Sequence, residues 1–219
     1  HLPDSISDNT AAAMMLQGLT AQYLLRRTHK VSPGETILVH AAAGGVGLIL
    51  CQWAHHLGVT VIGVVSTEAK AELARAHGAA HVIVGHDKLA AEVKRLTGGA
   101  MVPVVYDSVG KDTFAGSLNS LAMCSHLINF GQSSGPVDPV ALSQLSTRSS
   151  TLSRPMAFHY VAQRSALEES ATSLFTALSE GWLRPEPPTE FALKQSFAAA
   201  ADAATRASVP DAGGGRPFL

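Results

Sequence analysis

Val39-His40-Ala41-Ala42-Ala43-Gly44-Gly45-Val46-Gly47 stands between a β-like run and a helical one, and its reading decides the fold. Upstream, Glu35-Thr36-Ile37-Leu38-Val39 is short, apolar and β-branched and follows the turn Ser32-Pro33-Gly34; downstream, Leu48 to Leu57 has helical periodicity. Strand, glycine turn and helix in that order form the phosphate-binding element of doubly wound α/β folds. Its first small residue makes the tight turn, its second lets the backbone approach phosphates, and its third lets helix and strand pack closely. Ala42, Gly44 and Gly47 hold those places, with Ala43, Gly45 and Val46 between and beside them. A phosphate there would meet free N–H groups at a helix start, where the backbone dipole adds partial positive charge and no basic side chain is needed. Taken alone, the run also fits a glycine-rich strand-to-helix turn in any α/β protein.

The next strand narrows the choice. About 20 residues after the glycines, NAD-binding folds usually carry an acid for the adenine ribose hydroxyls. Thr60-Val61-Ile62-Gly63-Val64-Val65 ends instead at Ser66, with Thr67 after it and Lys70 one helical turn onward. Hydroxyls and an ammonium suit a 2′-phosphate, which an acid would repel, so the pattern points to NADP(H) over NAD(H). Glu68 is a nearby acid that opposes the preference.

Around this pair the chain alternates regularly. A helix from Ser7 to Lys30, capped by Ser7 or Asp8 and interrupted near Gly18, leads into the sheet. Strand 60–65 is followed by helix 67–77, strand 81–84 by helix 88–97, strand 102–107 by helix 111–121, and strand 124–130 by a short helix near 138–145. The strands are Val- and Ile-rich and apolar on both faces, which predicts a parallel Rossmann sheet with helices on each side and ligand at the strands' C-terminal ends. Ser66 to Thr67, Val84 to His86, Tyr106 to Gly110 and Phe130 to Ser134 should gather there beside the glycine turn. Asp107-Ser108-Val109-Gly110 fits either a cleft lining or a helix-start turn whose Asp and Ser satisfy backbone donors. Thr151 to Arg154 is a last strand, ended by Pro155. Helix 165–180, a Pro-rich link at 184–188 and an Ala-rich segment at 196–206 follow, and look built to pack on a different unit.

Composition closes off other classes. With 219 residues and 46% hydrophobic side chains the chain can bury a full α/β core. A net charge of −1, dispersed along the chain, gives no case for nucleic acid or an anionic membrane surface. The apolar stretch 37–65 is broken by glycines, His40, Gln52, His55 and His56 and cannot be a membrane span. Cys51 and Cys124 suit reduced thiols in the cytoplasm. Residue 1 is His, so the chain is expected to begin inside a longer protein, with a linker over residues 1–10, a cofactor domain over 11–155 and a C-terminal segment over 156–219.

Other chemistries lack their residues. No Ser/His/acid order suggests a triad. Cys51 and His55, four apart on one helix, would need a third ligand to hold zinc. Tyr23, Tyr106 and Tyr160 all lack a lysine four residues on, which sets short-chain dehydrogenases aside. A methyltransferase on the same fold remains an alternative.

Four separated motifs carry a resemblance. Gly18-Leu19-Thr20-Ala21-Gln22-Tyr23-Leu24-Leu25, His40 to Gly47 with Cys51-Gln52-Trp53-Ala54, Val104 to Gly110 and Asn129 to Gly135 occur in the order found in zinc-independent quinone oxidoreductases of the medium-chain dehydrogenase/reductase superfamily, the ζ-crystallin-like group. The likeness runs from Leu2 to about Ser208. It implies NADPH as cofactor, hydride transfer to a quinone-like acceptor, and a catalytic domain that precedes this chain and is completed by its C-terminal residues. It also implies a homodimer through strand 151–154. By similarity, Thr20 approaches the nicotinamide, Gly44 to Gly47 the pyrophosphate, Ser66 and Lys70 the 2′-phosphate, and Phe130, Gly131 and Gln132 the nicotinamide side, with Arg206 at the adenosine end. Three departures stand out: Val84-Gly85 replaces an Asn-Tyr pair, Ser125 replaces a common glycine, and the tail after Arg206 is longer and richer in Gly and Pro.

Overall fold

The computed structural model describes residues 2–186. Arg206, the 196–206 segment and the tail lie outside them. By contacts the chain divides into two compact units, His1–Pro185 and Glu186–Leu219. The first is a six-stranded sheet in the order β3-β2-β1-β4-β5-β6, parallel throughout. Its strands are β1 (Thr36–His40), β2 (Thr60–Val65), β3 (His81–Val84), β4 (Val102–Asp107), β5 (Leu121–Asn129) and β6 (Thr151–Ser153). This is the doubly wound dinucleotide order, and its switch point falls between β1 and β4.

Helices cover both faces: α1 (Asp8–Tyr23), α2 (Gly45–His56), α3 (Glu68–Ala76), α4 (Leu89–Leu96), α5 (Phe114–Asn119), α6 (Leu142–Ser146), α7 (Ala157–Tyr160) and α8 (Arg164–Ser179). The strands β1, β2, β4 and β5 each feed two cores, as strict alternation requires. Ile37, Val39, Val104, Tyr106 and Ile128 pack with residues of α1, α2 and α8, while Leu38, Val105 and Leu127 pack with Leu89 and Val93 of α4.

Strands β2, β3 and β4 have the predicted bounds, and three segments differ. Helix α1 runs through Gly18 without a break. A Cβ at Gly18 would lie 2.5 Å from Leu174 Cδ1, so this glycine lets α8 approach α1. The chain instead widens into a π-helical segment, Leu24–Thr28, where the Leu24 carbonyl accepts from His29 N (3.2 Å) and from the Tyr106 hydroxyl (3.3 Å). Strand β5 begins three residues earlier than expected, with an irregular register against β4. There Cys124 takes φ 54° and its N–H bonds Arg148 O, while Ser125 Oγ turns back to Ala122 O. Helix α5 is short because Gly110 (φ 94°) holds a turn before it and β5 starts at Leu121.

Beyond α8, Gln52 of α2 pairs both backbone groups of Arg184 (2.8 and 3.1 Å), and the Trp182 ring stacks on His56 at 3.9 Å. Side chains of α2 thus fix the path of residues 181–185.

Candidate functional site

The glycine turn sits at the C-terminal tip of β1. Ala41 takes a left-handed φ of 49°, Gly44 N–H bonds Ala41 O at 2.8 Å, and Gly44 is the residue before α2. No side chain caps α2, and its first backbone bond runs from Leu48 N to Gly44 O. The first-turn N–H groups are therefore left for another acceptor. Gly44 and Gly45 are exposed, and Ala43 and Val46 half-buried.

Each small residue has a geometric reason. A Cβ at Gly47 would lie 2.2 Å from Ala41 O and 2.8 Å from the Ala42 backbone, so helix and strand approach too closely for any side chain. A Cβ at Gly45 would meet only the Gln17 amide, 2.6 Å away at the end of a flexible side chain. Ala42 stands where the fingerprint has its first glycine because Gly63 faces it on β2: a Cβ there would be 2.8 Å from the Ala42 methyl.

At the tip of β2, Ser66 and Lys70 come together. Thr67 Oγ1 caps α3 by accepting from Lys70 N at 3.3 Å, and this orients the first turn so that Lys70 Nζ donates to Ser66 Oγ at 3.3 Å. Both side chains are half-buried, at the tip of the strand next to β1 in the sheet. At the tip of β3, a Cβ on Gly85 would point into open space, with nothing beyond its chain neighbours within 4 Å.

The tips of β4 and β5 are zipped together. Ser133 N and Ser134 N donate to Ser108 O and Val109 O at 3.2 and 2.9 Å, and Lys111 N donates to Gly135 O at 3.2 Å. Gly131 is required here, since a Cβ would lie 2.6 Å from Ser108 O. Ser108, Phe130 and Gly131 are half-buried and Gln132 is exposed. Thr20, buried in α1, donates its hydroxyl to Leu16 O at 2.7 Å, which leaves only lone pairs for any other partner.

Asp107 points inward, so the helix-start reading of 107–110 is the one realised for it. Its Oδ1 accepts from Val109 N (2.8 Å) and Gly110 N (3.0 Å), and its Oδ2 accepts from the hydroxyls of Thr113 (2.8 Å) and Ser117 (2.9 Å). Ser117 Oγ also lies 2.8 Å from His40 Nε2. Burial holds the His40 imidazole below the ordinary histidine range, opposed by the nearby Asp107 carboxylate and reinforced by His86.

Sequence reading missed His40, Thr113, Ser117 and Gln17. The first three had a signal: a histidine ending an apolar strand needs a partner, and Thr113 and Ser117 are four residues apart after Asp107. Nothing in the sequence marked Gln17. Cys51 turns inward toward Ala42 O whereas His55 is exposed, so that pair does not converge. Among the described residues no group of three His, Cys, Asp or Glu side chains could hold a metal ion, and no helix is long and apolar enough to cross a membrane.

Residues 45–173 match the family described as zinc-binding dehydrogenase, and the chain belongs to that family, within the medium-chain dehydrogenase/reductase superfamily. It is 49% identical over 208 residues to a quinone oxidoreductase of Pseudomonas aeruginosa, covering 94% of this chain and 64% of that protein. It is 46% identical to a 2-haloacrylate reductase of Burkholderia, covering 89% and 59%. In structure it resembles the Escherichia coli quinone oxidoreductase complexed with NADPH, with a TM-score of 0.85, 40% identity and coverage of 94% and 64%. The chain thus spans under two thirds of the length of these relatives.

Proposed function

We propose that this chain is the cofactor-binding portion of a zinc-independent, NADPH-dependent quinone oxidoreductase of the cytoplasm. The observation that carries the cofactor half is Lys70 Nζ at 3.3 Å from Ser66 Oγ on the β2 tip, a cation and a hydroxyl where an acid would serve NADH. The open, uncapped start of α2, with Gly44 and Gly45 exposed on it and Gly47 seating the helix against β1, fits a pyrophosphate, which Ala43 and Val46 flank. Thr20, Ser108, Phe130, Gly131 and Gln132 are assigned to the nicotinamide side, and Arg206, outside the described residues, to the adenosine end. Bound NADPH supplies the hydride; the protein's share is position and electrostatics. The acceptor is a quinone or a related activated double bond, a range that the relatives' names span. Residues beyond 155 would partly complete a catalytic domain, and the exposed edge of the sheet at 151–154 would pair with its twin in a homodimer.

A second reading is an NADPH-binding module without turnover. Turnover of 1,4-benzoquinone with NADPH separates the two when this chain is compared with a form extended to the full length of its relatives. The chain alone is expected to run at less than about one hundredth of the extended form's rate, since most of the acceptor's positioning is absent. Equal rates would overturn the view that the acceptor pocket lies upstream.

A further inference from the structure

The tips of β1, β4 and β5 carry a buried polar row. Val39 pairs with Tyr106, so His40 and Asp107 follow on neighbouring strands, and Asp107 pairs with Asn129. His40, Asp107 and Ser117 are each at most 1% exposed. Such groups are costly unless every proton has a definite acceptor, so the direction of each bond can be worked out. Asp107 only accepts. The Ser117 hydroxyl spends its one proton on Asp107 Oδ2 and must therefore accept at its 2.8 Å contact with His40 Nε2. His40 then carries its proton on Nε2, with Nδ1 bare.

This chain of bonds joins two loops. His40 directly precedes the glycine turn, whereas Asp107 ties down Val109 and Gly110, whose loop is zipped to residues 133–135. From this geometry we infer that His40, Ser117 and Asp107 are positioning residues: a directed relay, His40 Nε2–H to Ser117 O–H to Asp107, that holds the pyrophosphate turn and the nicotinamide loops at a set spacing across the switch point. The inference rests on the cofactor reading above.

Two variants test it. Ser117→Ala cuts the link and is expected to weaken NADPH binding about tenfold, measured well below its melting temperature. Asp107→Asn keeps Oδ1 as acceptor for Val109, Gly110 and the Thr113 hydroxyl and reverses the two relay links: the new amide donates to Ser117, and Ser117 must donate to a bare His40 Nε2. Nitrogen-15 spectra of histidine-labelled protein should show His40 protonated at Nε2 in the unaltered chain and at Nδ1 in Asp107→Asn, whose NADPH affinity stays within about threefold. An Nδ1–H tautomer in the unaltered chain overturns the relay. Unchanged NADPH affinity in Ser117→Ala, with the unaltered chain binding, overturns the positioning role alone. Absence of NADPH binding by the unaltered chain overturns the cofactor reading, and the positioning role with it.

Discussion

Asp107→Ala is expected to cost about 4 kcal/mol of folding stability, a large share of a typical domain's margin, because buried donors left without an acceptor cost about 1–3 kcal/mol each. The variant orphans Val109 N and Gly110 N and takes the carboxylate acceptor from the Thr113 and Ser117 hydroxyls, all within 3.0 Å of it, leaving Thr113 the Gly110 carbonyl and Ser117 the His40 ring. These costs overlap rather than add, since the loop relaxes once its anchor is gone. For a domain of this size the loss corresponds to a fall of about 8–16 °C in Tm. Calorimetric melting checks it, with Asp107→Asn as the comparison: the amide keeps an oxygen for the two N–H groups and should lose much less. A fall of under about 2 °C for Asp107→Ala would mean that the carboxylate is not the acceptor that organises this loop.

Gly47→Ala is the second large effect. A methyl group there would lie 2.2 Å from the Ala41 carbonyl oxygen and 2.8 Å from the Ala42 backbone, and neither can swing away like a side chain. Overpacking of this kind costs about 1–3 kcal/mol and more where the backbone must move. We expect about 3 kcal/mol, with the first turn of α2 displaced and NADPH affinity reduced at least about tenfold, because the displaced turn carries the amides meant for the phosphates. Gly45→Ala is the internal control. Its methyl would meet only the Gln17 amide, so stability should change by less than about 1 kcal/mol. Equal losses for the two variants, measured by chemical denaturation, would contradict the helix-packing account of the third glycine.

How much of this was legible in the sequence follows from which forces act locally. The βα alternation was readable because each strand is a short run apolar on both faces, a pattern only a covered parallel sheet explains, and β2, β3 and β4 fell within their predicted bounds. Ser66 and Lys70 were also readable, since a capped first turn places residue i+4 over residue i whatever the rest of the fold does. What failed depended on distant partners. Gly18 looked like a helix breaker because Leu174, the side chain that needs its space, is far along the chain. The π-helical widening at Leu24 falls where the Tyr106 hydroxyl, from β4, bonds the Leu24 carbonyl. The relay on Asp107 needs α5 to lie over the tips of β1 and β4, a tertiary fact with no local signature. Ala42 at the first fingerprint position read as a weakness of the motif. Gly63 across the sheet makes it a compensated exchange, with the methyl group moved from one strand to the other.

Selection of a 2′-phosphate by Ser66 and Lys70 at the β2 tip separates NADPH from NADH. Isothermal titration of this chain with NADPH and with NADH, repeated on Lys70→Ala, tests it most directly. A charge-assisted contact contributes about 1.5–3 kcal/mol, so the unaltered chain should bind NADPH at least about tenfold more tightly than NADH. Lys70→Ala should remove most of that ratio by weakening NADPH while leaving NADH unchanged. Equal affinities in the unaltered chain, or a Lys70→Ala variant that weakens both cofactors alike, would contradict the account.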